Sequence, residues 1–237
     1  MRDSERLCIR VPKVFDWVNR QVDLPLISFT GHKGLAKLRF DCEDTPGTKD
    51  DPCSVLGRNT ITRCFLSDAE GNPIESLNSD AVEIKEIVQP DGRLNVTSTL
   101  PNGDRVTLQK VKVLVKGFFV IEVSNMQGDV CISAPQPFAV AQTFFLCAPP
   151  GTDVVGHITF FECDAHLICD NNEFQQLDVS LTFCLDVQME ATVKIEVDAR
   201  FCRPRQELPI NTCNVANQLP PQCPDVFPGD TGHDHDC

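Results

Sequence analysis

Leu177-Asp178-Val179-Ser180-Leu181-Thr182-Phe183-Cys184-Leu185-Asp186-Val187-Gln188-Met189, continued without a slip through Glu190 to Phe201, alternates apolar and polar side chains. All thirteen odd-numbered residues from Leu177 to Phe201 are apolar, and none of the even-numbered residues between them is aliphatic or aromatic. A period of two sustained over this length is β structure with one face buried and one wet. A straight strand of that length spans about 80 Å, whereas an ordinary strand has about 5–6 residues. Three arrangements accommodate it: a bent strand crossing between sheets, a hairpin with a tight turn, or a strand running beyond one domain. The first two are the ordinary outcomes and are expected here; the third would suit a fibre or lattice.

Outward from this stretch the chain continues in β signals. Residues 60–124 read as a meander, with a strand from Val82 to Val88 and a turn at Pro90-Asp91-Gly92, where Pro presets φ and Gly accepts a positive one. Alternation follows at Leu94, Val96, Ser98 and Leu100, then a hairpin signal at Asn102-Gly103. The return strand runs through Val106, Leu108 and Val111 to Val115, with Gly117 as a break or bulge before Phe118. Residues 130–169 continue the pattern less cleanly. The expected fold is all-β, an antiparallel sandwich or jelly-roll-like architecture. Its β domain covers 60–202, as one body or as two units, 60–130 and 131–202. Residues 1–59 form an N-terminal arm and loop, with Val11 to Val18 either a short helix begun by Pro12 or an extended segment. Residues 43–59 carry the turn formers of a loop. Residues 203–237 form an irregular tail rich in Pro and Cys.

The 237 residues suffice for a sizeable core. A net charge of -13 argues against nucleic acid and against an anionic membrane surface, both of which select clustered Lys and Arg. No stretch approaches the roughly 18 apolar residues of a bilayer span, and the charged N-terminus leads into no apolar signal segment. The chain therefore reads as leaderless, although its 13 cysteines are the mark of an oxidising compartment. The conflict lifts if the thiols bind metal, if they are buried as inert side chains, or if the protein is oxidised after leaving a reducing cytosol.

No two cysteines are spaced C-x-x-C, which removes the usual redox and zinc-knuckle motifs. Cys184 and Cys202 fall on the polar side of the long alternation. Cys213, Cys223 and Cys237 lie in the tail, and the count is odd, so complete oxidation requires a partner thiol on another chain. Cys8, Cys213, Cys223 and Cys237, near the termini, are the expected inter-subunit cross-links. A weaker metal candidate is Cys163, His166 and Cys169, ligand types at i, i+3 and i+6 for which no fourth zinc ligand is visible nearby. The tail residues His233 and His235 discriminate little. No nucleophile elbow, H-E-x-x-H or phosphate loop appears, so no enzyme and no cofactor are expected. Asn95-Val96-Thr97 reads as a strand fragment rather than a glycosylation site, and Gly31-His32-Lys33-Gly34 as a turn.

Leu7-Cys8-Ile9-Arg10-Val11-Pro12-Lys13-Val14-Phe15-Asp16-Trp17-Val18, with the β-rich, cysteine-rich character and the cysteine-bearing tail, resembles the coat and exosporium structural proteins of endospore-forming bacteria. The resemblance implies synthesis in the mother-cell cytoplasm, a place at the spore surface, and partners that are other copies of the chain and other spore-surface proteins. Many such proteins are smaller and have clustered cysteines; here the cysteines are dispersed. The function expected is a structural, self-assembling subunit stabilised by inter-subunit disulfides. The alternatives are a β-sandwich binding module for a carbohydrate or protein, and a zinc-binding structural protein.

Overall fold

A computed structural model describes residues 5–42, 50–57, 59–74, 77, 81–99 and 102–199. Two compact units are distinguished, residues 8–197 and residues 1–7 with 198–237. In the second unit the described residues are few; there Arg6 Nε lies 3.7 Å from the Asp198 carboxylate, both side chains exposed.

The fold is all-β, built from two antiparallel sheets. The long alternation is one continuous strand, β11 (Glu173–Ala199), rather than a hairpin or a crossing strand. It is the middle strand of sheet A, flanked by β1 (Glu5–Asp23) and β10 (Asp153–Asp170), with β2 (Ile27–Thr30) continuing along its β1 side. The segment containing Trp17 is therefore extended, and the N-terminal stretch supplies two sheet strands. Sheet B is organised around β7 (Arg105–Ser124). Along one side of β7 run β4 (Ile61–Ser67), β5 (Glu83–Glu86) and β6 (Leu94–Thr99); along the other lie β9 (Gln136–Leu146) and β8 (Val130–Ile132). The short β3 (Asp41–Cys42) pairs with β8.

The core lies between the two long central strands. Val111, Val113, Val115, Phe119, Ile121 and Val123 of β7 share one buried cluster with Leu177, Val179, Leu181, Phe183, Leu185, Val187 and Met189 of β11. Burial on β11 stops at Met189, because β10, which supports it on one side, begins at Asp153 opposite Glu190. Val193 is half-buried and Ile195 exposed.

Three local readings change. Gly117 neither breaks nor bulges β7. A Cβ there would stand 2.8 Å from the Phe138 ring, so the glycine makes room for its cross-strand partner. Gly31-His32-Lys33-Gly34 opens a helix, α1 (Gly31–Leu38), which ends at Arg39 in the left-handed region. The loop reading of 43–59 misses α2 (Pro52–Leu56), which Asp51 caps through Cys53 N at 2.9 Å and which Pro52 opens. Residues 43–49 of that loop, Leu100, Phe201, Cys202 and the tail lie outside the described residues.

Candidate functional site

Six cysteines of the folded body form three disulfides. Cys42 and Cys131 stand directly opposite in the β3–β8 ladder, both fully buried. Cys53, held by the Asp51 cap, joins Cys169 at the end of β10. Asp51 carries its second oxygen to Phe174 N at 3.1 Å, so one buried carboxylate fixes both the helix and the start of β11. Between them Asn171 and Asn172, both at positive φ, make the two-residue turn from β10 to β11. Cys64 of β4 joins Cys163 of β10 and ties sheet B to sheet A.

This pairing uses both sulfur members of the metal candidate. Cys163 turns inward to Cys64, whereas His166, three residues along the same strand, stands on the opposite face across from Asp178. Strand alternation separates i from i+3, so Cys163 and His166 do not converge. Among the described residues no group of three or more His, Cys, Asp or Glu is placed to hold a metal.

Three described thiols remain free: Cys8, Cys147 and Cys184. Cys8 is exposed on β1, an edge strand of sheet A. Cys147, just past β9, is exposed, and its backbone N–H donates to the Asp16 carboxylate of β1 at 2.7 Å. Arg20, also on β1, donates to Thr143 O at 2.9 Å and lies over the Phe144 ring. These two side chains lash the end of β9 to β1 and set Cys147 beside it. Cys184 is half-buried on the wet side of β11, opposite Phe160. Of the expected cross-linking residues, Cys8 is thus exposed and unpaired, while Cys213, Cys223 and Cys237 lie outside the described residues. Cys147 escaped the sequence reading; its signal is the apolar Phe144 and Leu146 before it, which put position 147 on the outward parity.

The outward face of sheet A is held by hydrogen bonds between side chains. Asp178 accepts from the Ser28 hydroxyl and the Gln176 amide, which hold its carboxyl below the usual carboxylate range, with His166 adding to the shift. Asp23 is lowered in the same way by Gln21 and Thr182. The Trp17 indole N–H donates to Asp186 at 2.7 Å, which lays the exposed ring on this face. A cleft of about 950 Å³ opens beside α1, lined in part by His32, Arg39, Asp50, Asp51 and Glu173. Its mixed charge selects no ligand class.

Compared with protein-family models, curated proteins and solved structures, the chain matches none. Fold and site together define a class, a disulfide-stapled, two-sheet β protein with free thiols at its surface.

Proposed function

We propose that this protein is a self-assembling structural subunit of a bacterial spore surface layer or appendage, locked by disulfides between subunits. The observation that carries the reading is the division of the described cysteines. Those that tie secondary elements together are paired, whereas Cys8 and Cys147 are unpaired and exposed. An exposed thiol contributes nothing to the core, but it is accessible for joining one folded body to another. Each such bond forms when two thiols on different chains lose two protons and two electrons to an external oxidant such as dioxygen. The tail thiols Cys213, Cys223 and Cys237 extend the same chemistry, and the resemblance at residues 7–18 supports the spore surface as its setting. Partners are other copies of the chain and other spore-surface proteins.

Non-reducing gels of the oxidised full chain test the reading. Replacing Cys8, Cys147, Cys213, Cys223 and Cys237 together by serine is expected to remove the high-mass ladder. An unchanged ladder would exclude these five thiols as the links.

A further inference from the structure

The two outward faces carry opposite charge. On sheet A the outward residues of β11 are the even-numbered ones, since the odd-numbered ones from Leu177 to Met189 are buried. Antiparallel register sets Glu162 opposite Thr182, Asp164 opposite Ser180, and Asp153 opposite Glu190. Residues directly opposite in a ladder share a face. This face therefore gathers Glu162, Asp164, Asp178, Asp186 and Glu190, with Asp23 joined to it through Thr182. Between Gln176 and Glu190 no lysine or arginine stands on it, because Arg20 turns inward over Phe144.

On sheet B the outward residues of β7 include Lys110, Lys112 and Lys116, with Lys85 across from Leu114. Of the carboxylates on this side, Glu83 is already shared by Lys85 and Lys116, which hold it below the usual carboxylate range, and Asp91 sits near Lys110 and Lys112. The ammonium groups of Lys110 and Lys112 have no hydrogen bond or ion pair among the described residues, and neither have the carboxylates of Glu162, Asp164 and Glu190. Lys110 and Lys112 border a notch of about 240 Å³ beside the Pro90-Asp91-Gly92 turn. The three exposed aromatic side chains of the described residues lie on these same faces: Trp17 and Phe160 on sheet A, and Phe145, opposite Lys110, on sheet B.

We infer that the acidic face of sheet A on one copy stacks on the basic face of sheet B on the next, with Glu162 and Asp164 against Lys110 and Lys112. This rests on the self-assembling reading and gives it a direction. A contact between two different faces is heterologous, so it builds an open row or a ring instead of a two-fold dimer. The thiols then lock a contact that charge has already made.

The test uses the full chain in reductant, so that only non-covalent association is read. Wild type is expected to assemble at low salt and disperse at high salt, since the screening length falls from about 10 Å at 0.1 M to about 3 Å at 1 M. Lys110→Glu with Lys112→Glu leaves both faces acidic, and Glu162→Lys with Asp164→Lys leaves a basic patch on each. Each variant alone is expected to associate at least about tenfold more weakly, through like-charge juxtaposition, with its melting curve retained. Mixing the two is expected to restore assembly, because the faces alternate correctly again. Folded variants that assemble alone like wild type, or that fail to co-assemble, overturn this contact and leave the self-assembling reading standing. A wild-type chain that stays monomeric at low salt, both reduced and after oxidation, overturns both.

Discussion

Replacing Cys64 and Cys163 by alanine removes the covalent tie between the two sheets, and its cost depends on a second bond. While Cys53–Cys169 is intact, the segments from Cys53 to Cys64 and from Cys163 to Cys169 close a ring of about 18 residues. Opening a ring of that size releases chain entropy in the unfolded state worth about 3 kcal/mol. The same holds for removing Cys53–Cys169 while Cys64–Cys163 is intact, since the ring is shared. Once one bond is gone, the other closes a ring of about 50 residues through the intact Cys42–Cys131 bond, worth about 4 kcal/mol. Removing both bonds therefore costs about 7 kcal/mol, roughly 1 kcal/mol more than the two single losses added together. Urea unfolding of the four proteins measures this coupling, and the lost sulfur packing cancels in the cycle. Losses that add to within about 0.5 kcal/mol would mean that the two bonds do not share a ring, against the pairing of Cys53 with Cys169 and Cys64 with Cys163.

Other consequences can be read at single positions. Gly34→Ala brings a Cβ within 2.5 Å of the Phe29 carbonyl carbon, which is main chain, whereas Gly117→Ala meets the Phe138 ring at 2.8 Å. Both are expected to destabilise by about 1–3 kcal/mol in thermal melts, Gly34→Ala the more, because a ring can yield and a backbone cannot. Arg93 spends its guanidinium on both oxygens of Glu86, on Ala148 O, and on the hydroxyl and carbonyl of Thr152, with the Glu86 bonds raising its pKa. Arg93→Ala leaves Glu86 partly buried and alone, and is expected to cost about 3 kcal/mol in urea unfolding. Acid should weaken the fold. Asp23, Asp68, Asp178 and Glu83 titrate below their ordinary values of 3.8 for Asp and 4.5 for Glu. Their contribution is complete above those values and is lost as the pH falls through the lowered ones. The urea midpoint is expected to hold from pH 7 to about pH 5 and to drop below about pH 4; a midpoint unchanged at pH 2 would contradict this.

Much of the fold was legible because burial in a two-sheet protein imposes a period of two. The alternation from Leu177 correctly marked a half-buried strand, and the odd residues to Met189 are the core. Its length was misjudged because ordinary strands are short, while here β10 supports β11 from Asp153 to Asp170 and β1 runs along its other side. Asn102-Gly103 and Pro90-Asp91-Gly92 gave the β6–β7 hairpin and the turn before β6. Asn171-Asn172 went unread as a turn, although paired Asn residues accept the two positive φ angles it needs. The helices were missed for a different reason: both are short, and their signals are caps such as Asp51-Pro52 rather than periodicity. The cysteine pairing lay beyond the sequence, because residues separated by 89 to 116 positions meet only through the sheet register. His166 looked like a ligand beside Cys163 because spacing along the chain does not reveal which face a strand residue occupies.

If free surface thiols lock copies of this protein together, light scattering of the purified full chain reads the lock as mass. Large species are expected after air oxidation, and they are expected to shrink toward single chains after reduction at high salt. A monomer in both conditions, with Cys8 and Cys147 still open to alkylation after air exposure, would contradict this.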